Sequence, residues 1–204
     1  MKYPFLASIL ILCALFYYEN KKADKKFRNS KEAFWERESL ANSTRKKPLD
    51  DLTYIIPDLA SLPTDIECDD PIIKEKVSDL VSLSEEKIVN FTGMTNTDLK
   101  LKYGVANLPF LQQCDNNYTV FVRTLQEWAE RLYALGYSNE ALCVARYAID
   151  QGTDISKSYF LAADIYLSNG RPDQINDLIK AAETINTPLK NSIISTLKEK
   201  TADM

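Results

Sequence analysis

From Val122 to Glu183 the apolar positions follow a helical spacing, and the pattern runs through twice at a fixed interval. Leu125, Trp128, Ala129 and Leu132 mark one face and Gly136 ends it; Tyr159, Ala163 and Tyr166 mark the next, ended by Gly170. After each glycine a second apolar stripe follows: Ala141, Ala145 and Ala148, then Ile175, Ile179 and Ala182. Spacings of three and four residues are those of one helix face. A glycine at the end of such a stripe supplies the left-handed residue on which helices stop. The pattern predicts two helix–turn–helix hairpins in tandem.

The interval from Gly136 to Gly170, and from Ala129 to Ala163, is the tetratricopeptide period. Bulky residues at positions 4 and 7 of the unit, a small one at 8, Gly at 15 and small ones at 20 and 27 complete a resemblance to that family over about 62 residues. It departs from the pattern at Thr153, where the family has Pro, and at Ile175, where it has Ala. The resemblance implies an all-α array with no catalysis of its own, working as a protein–protein interaction scaffold. Each repeat buries its face only against a neighbour, so two need caps on both sides. Leu189, Ile193, Ile194 and Leu197 predict the C-terminal cap within 187–204. Helices within 51–117 are expected to form the N-terminal one, a degenerate repeat.

Upstream the pattern changes character. Tyr3 to Tyr18 holds no charge, and its 16 positions would span about 24 Å as a helix. That is short for a hydrocarbon core of about 30 Å. Flanking Lys2, Lys21 and Lys22 can snorkel, and Tyr3, Tyr17 and Tyr18 suit an interface. No A-x-A site ends the run, which favours an uncleaved anchor over a secretory signal. We read 1–20 as a single transmembrane anchor and 21–50 as a basic juxtamembrane arm. The cations Lys21, Lys22, Lys25, Lys26, Arg28 and Lys31 follow the run and place the C-terminal body on the cytoplasmic side. FWERESLANSTRKKPL and NTDLKLKYGVANL add a resemblance to bacterial single-pass proteins with a tetratricopeptide-like domain, which implies a bacterial cell membrane.

Between arm and repeats, Lys31–Ala41 predicts an amphipathic helix, lying on the membrane or docked on the body. Pro48, Pro57, Pro63 and Pro71 predict an extended connector, with Leu52, Tyr54, Ile55, Ile56 and Leu59 packed along the array. Asp69-Asp70-Pro71 starts a helix whose buried face is Ile72, Ile73, Val77, Leu80 and Val81. Ser82 and Glu85 suggest a capping box for a second short helix ending at Phe91. Asp115-Asn116-Asn117 is expected to cap a long helix, Tyr118–Leu135. The repeats proper are placed at 118–186.

Composition narrows the chemistry. With 204 residues, 45% apolar and only 5 Gly, the chain can build a helical core. It has no His, hence neither the commonest general base nor the commonest metal ligand. Cys13, Cys68, Cys114 and Cys143 contain no CxxC and fit a reducing compartment; Cys143 is expected to be buried inside its helix. Residues 1–50 hold 11 Lys+Arg against 6 Asp+Glu, and the remainder 14 against 23. An acidic body argues against nucleic-acid binding. No phosphate-binding loop or nucleophile motif occurs, and no cofactor or metal is expected. Asp69-Asp70 beside Cys68 reads as helix initiation, and the sequons at Asn42, Asn90 and Asn117 matter only in a luminal protein.

On the family register, positions 2, 5, 9 and 12 of each first helix line the binding face. These are Arg123, Gln126, Glu130 and Tyr133, then Lys157, Phe160, Asp164 and Leu167. Members that clamp a carboxylate carry Lys and Asn where Gln126 and Glu130 stand, so that ligand class is set aside. Glu130 and Asp164, with Tyr133 and Phe160 as apolar anchors, suit a basic or amine-bearing peptide. The alternative function is an extracytoplasmic holdase or translocon accessory of inverted topology.

Overall fold

This computed structural model describes residues 4–202, and the early part of the N-terminal helix with only some of its side chains. The fold is all-α. Its helices are α1 Pro4–Ser43, α2 Pro71–Leu83, α3 Asn96–Tyr103, α4 Leu108–Ala134, α5 Ser138–Asp150, α6 Ser156–Ser168, α7 Ile175–Thr184 and α8 Lys190–Ala202. The chain forms two compact units: residues up to Lys47 with Asn96–Asn107, and Pro48–Thr95 with the chain from Leu108 onward.

In the larger unit α4 packs on α5, α5 on α6, and α8 on both α6 and α7, while α2 covers the other side of α4. The helix boundaries repeat at the interval read from the sequence. Shifting α6 by one such interval gives Lys190–Ala202, which is α8, and shifting α5 gives Pro172–Thr184, which is a 3-10 turn followed by α7. The turns repeat as well. Gly136 N–H donates to Tyr133 O and Tyr137 N–H to Leu132 O, both at 3.0 Å; Gly170 N–H donates to Leu167 O at 3.0 Å and Arg171 N–H to Tyr166 O at 2.8 Å. Both glycines have positive φ, 89° and 64°, so the turn is left-handed each time.

Packing follows the small positions. Ala129, Ala141, Ala145, Ala148, Ala162, Ala163 and Ala182 are all fully buried, among Leu125, Trp128, Leu132, Tyr159, Ile175 and Leu178. Thr153, which replaces a proline of the resembled pattern, is also buried. Its N–H donates to Ala148 O at 3.2 Å, a bond proline cannot make, and its carbonyl accepts the Tyr159 hydroxyl at 3.0 Å. Burial pushes the Tyr159 phenol up to about 12.

Helix α2 begins where Asp70 and Pro71 predict. The Asp70 carboxylate accepts from Ile72 N–H at 3.0 Å and Ile73 N–H at 3.2 Å. Its buried face is Ile73, Leu80 and Leu83, whereas Ile72 and Val81 are exposed. The second short helix after it does not form. Ser82 Oγ donates back to Ser78 O inside α2, and the chain then extends so that Ile55 N–H donates to Ile88 O at 2.9 Å. Nor does Asp115-Asn116-Asn117 start a helix. Leu111, Cys114, Tyr118, Phe121, Val122 and Leu125 keep one buried stripe unbroken, so α4 runs through. Pro109 lies in its first turn, where a missing N–H is harmless. The Asn117 amide instead donates to Lys87 O at 3.0 Å.

The connector packs along α5 as expected, with Leu52 and Leu62 buried and Asp58 N–H donating to the Tyr147 hydroxyl at 2.8 Å. Ile56 is the exception and faces out. Cys68, Cys114 and Cys143 are free thiols. The buried one is Cys114; Cys143 is exposed and donates to Ser61 O at 3.5 Å.

In the smaller unit the arm is helical to Ser43 as part of α1, with no break at the end of the apolar run. The predicted anchor, 1–20, begins outside the described residues, which take it up at Pro4. Among the described residues no helix is long and apolar enough to cross a membrane. The arm docks through polar groups. Glu38 takes Lys100 Nζ and the Thr97 hydroxyl, Arg37 pairs with Asp98 at 2.5 Å, and Lys47 N–H donates to Tyr103 O at 3.0 Å. The Lys100 and Thr97 hydrogen bonds hold the Glu38 carboxyl below its usual range. Phe34, Trp35 and Leu40 stay exposed on the other faces of α1. Thus α3 belongs with α1, and the helices of 51–117 do not all lie in one unit: α2 packs on α4 in the larger unit, with the connector residues Leu62 and Ile88 in the same core.

Candidate functional site

Helices α2, α4, α6 and α8 share one face of the larger unit, and a ladder of ion pairs crosses it. Lys76 of α2 meets Glu127 of α4 at 2.8 Å; Glu130 of α4 meets Lys157 of α6 at 3.2 Å; Asp164 of α6 meets Lys200 of α8. Each rung joins neighbours in space that are distant in sequence. The Glu127 hydrogen bond raises the Lys76 ammonium above its ordinary value.

Between the rungs lies a depression of about 270 Å³ lined by Glu130, Tyr133, Lys157, Phe160, Leu161 and Asp164. Five of the eight residues proposed from the register therefore come together: Glu130, Tyr133, Lys157, Phe160 and Asp164. Tyr133 is 40% exposed and Phe160 half-buried, a ring area open to a partner.

The other three lie elsewhere. Gln126 is only 4% exposed and accepts the Ser158 hydroxyl at 2.5 Å, so it belongs to the α4–α6 packing and not to a surface. Among the described residues its Nε2 has no hydrogen-bond partner. Arg123 lines a separate cavity, and Leu167 packs against the core. A fixed register assigns positions by helix phase alone; how deeply each is covered depends on the neighbouring helix, which differs between repeats.

Sequence reasoning missed the extension of this face onto α2. A second, more open depression of about 530 Å³ is lined by Ile72, Glu75, Lys76, Glu127, Glu130, Arg131 and Ala134. Because α2 is out of phase with the repeat, no register could place it there. The one available signal was Ile72 itself, an apolar residue beside a helix N-cap.

The acidic cluster after Cys68 is accounted for within the chain. Asp70 caps α2 and pairs with Arg131, and Asp69 pairs with Lys74. Two of the three sequons are likewise structural. The Asn90 amide donates to the Tyr118 hydroxyl at 2.9 Å and Asn117 is buried.

No protein family, curated protein or solved structure matches this chain.

Proposed function

We propose that this protein is a membrane-tethered scaffold whose helical-repeat body, tetratricopeptide-like in arrangement, recruits a protein partner without catalysing a reaction. The observation that carries the reading is the recurrence, at one fixed interval, of helix boundaries and left-handed turns, with Tyr133 exposed and Phe160 half-buried on the shared face. Aromatic rings that are open yet held by packed helices are typical interface anchors.

The ion-pair ladder refines the partner. Glu130 and Asp164 are already answered by Lys157 and Lys200, so a basic peptide would have to displace those lysines. The face suits a segment that seats an apolar side chain beside Tyr133 and Phe160 and carries charges of both signs around it.

Tethering rests on the uncharged run 3–18 and its cationic flank. Leu12, Leu15, Phe16, Tyr17 and Tyr18 are exposed on α1, so no described part of the chain covers them. A bilayer would, with the following lysines snorkelling at its cytoplasmic surface. Reporter fusions after Met204 test the placement. A fluorescent protein that matures only in the cytosol should light up and alkaline phosphatase should stay inactive. The opposite pair of results would establish the inverted topology and with it the extracytoplasmic holdase reading.

A further inference from the structure

In both depressions of the ladder face every carboxylate has a cation, but a third cavity of the larger unit breaks that rule. It holds about 440 Å³ between α4 and the loops 91–94, 154–155 and 186–188. Asp115, Asp154 and Arg123 all line it, and none of the three forms an ion pair among the described residues. Asp115 and Arg123 stand two helical turns apart on α4, about 12 Å along the axis, too far to neutralise one another.

The turn that carries Asp154 does not require an acid. Thr153 Oγ1 accepts Ile155 N–H at 3.2 Å, and one repeat later Thr187 Oγ1 accepts Leu189 N–H at 3.4 Å. The same local bond is thus made twice, with Asp154 after the first threonine and Pro188 after the second. Asp154 accepts the Thr187 hydroxyl at 3.2 Å, which aims it from one loop to the next. Asp115 is half-buried, with Phe91 N–H as a donor to its carboxylate, and burial pushes that carboxyl up. A nearby ammonium would relieve the cost of holding it charged.

We propose that this cavity binds a basic α-amino acid, its carboxylate on Arg123 and its two cationic groups on Asp115 and Asp154. Two negative groups and one positive are complementary to a ligand with two ammonium groups and one carboxylate. The volume is within the range of small-molecule pockets, roughly 300–1,000 Å³, and the separation of the charges along α4 suits an extended ligand over a point ion.

The test is calorimetric titration of the full chain in detergent with L-lysine, putrescine and glutarate, repeated on Asp154→Asn and Arg123→Gln. Neither substitution removes a buried apolar contact, and circular dichroism confirms the fold of each. L-lysine should bind saturably and lose at least about tenfold in affinity in both variants, which is about 1.4 kcal/mol. Putrescine, which lacks a carboxylate, should respond to Asp154→Asn and ignore Arg123→Gln; glutarate should not bind. No saturable binding of L-lysine at 10 mM would overturn the assignment, on the order of the weakest affinity worth assigning. Wild-type affinity for L-lysine in either variant would overturn it too, as would a cavity that takes a lysine-containing peptide but not the free amino acid.

Discussion

Asp164 of α6 and Lys200 of α8 form an ion pair on the face that carries Tyr133 and Phe160. The pair fastens the last helix to the helix one repeat before it. Both side chains remain partly in solvent, so the pair itself contributes only about 0–1 kcal/mol. Ile193 and Leu197, fully buried two turns and one turn before Lys200 on the same side of α8, hold the helix down. Lys200→Gln should therefore shift the urea midpoint slightly, while Leu197→Ala should cost about 2–5 kcal/mol. Equal effects from the two would mean that α8 is held by charge.

Ala129 and Ala163 are fully buried where helices pack closely. Leucine at either position forces three extra carbons into filled space and should cost about 1–3 kcal/mol. Urea denaturation of each variant measures it, and an unchanged midpoint for both would remove the close packing from the account.

Gly136 and Gly170 test backbone alone. Apart from the glycine and its two chain neighbours, no heavy atom of the described residues lies within 4 Å of a Cβ built on either, so alanine would meet no steric obstacle from the rest of the fold. It would still be held at positive φ, which costs about 1–2 kcal/mol. The two losses should be similar, since the turns share their hydrogen bonds. A loss at only one would show that the turns are not equivalent.

The repeat was legible because its determinants are local. Glycine at a helix end and alanine at a crossing announce themselves by spacing, and α5 to α8 follow. Asp70 and Pro71 announced α2 in the same way. What failed had non-local causes. Asn117 looks like a helix cap in isolation, but its amide is satisfied by Lys87 O across a fold contact. Ser82 and Glu85 look like a capping box, yet the next segment pairs Ile88 with Ile55. Gln126 has the right phase for a binding face and is covered by Ser158. The lysines opposite Glu130 and Asp164 come from the following helices, so the face read as acidic when its residues were taken one helix at a time.

Acid should loosen α2. The Arg131 hydrogen bonds, then the Ile73 and Ile72 N–H groups, hold the Asp70 carboxyl below its ordinary 3.8. A depressed folded-state value means the contribution is complete above the unfolded value and is lost as pH falls through the folded one. Stability should thus decline from about pH 5 downward. Asp70→Asn keeps a capping oxygen but cannot pair with Arg131, so its pH profile should be flatter over that window. Superimposable profiles, measured as urea midpoint against pH, would exclude Asp70 as a source of the acid sensitivity.

The central claim is that the face around Tyr133 and Phe160 holds a protein partner, and site-specific photo-crosslinking tests it most directly. A photoreactive residue is placed at Phe160, at Phe34 on α1, or at Val120, which is exposed on α4 away from the depression. Each full-length variant is expressed in the native host and irradiated. The account predicts one discrete adduct from Phe160, abolished by Tyr133→Ala, and none from Phe34 or Val120. A discrete adduct from Phe34 alone, insensitive to Tyr133→Ala, would contradict it and assign recognition to the arm.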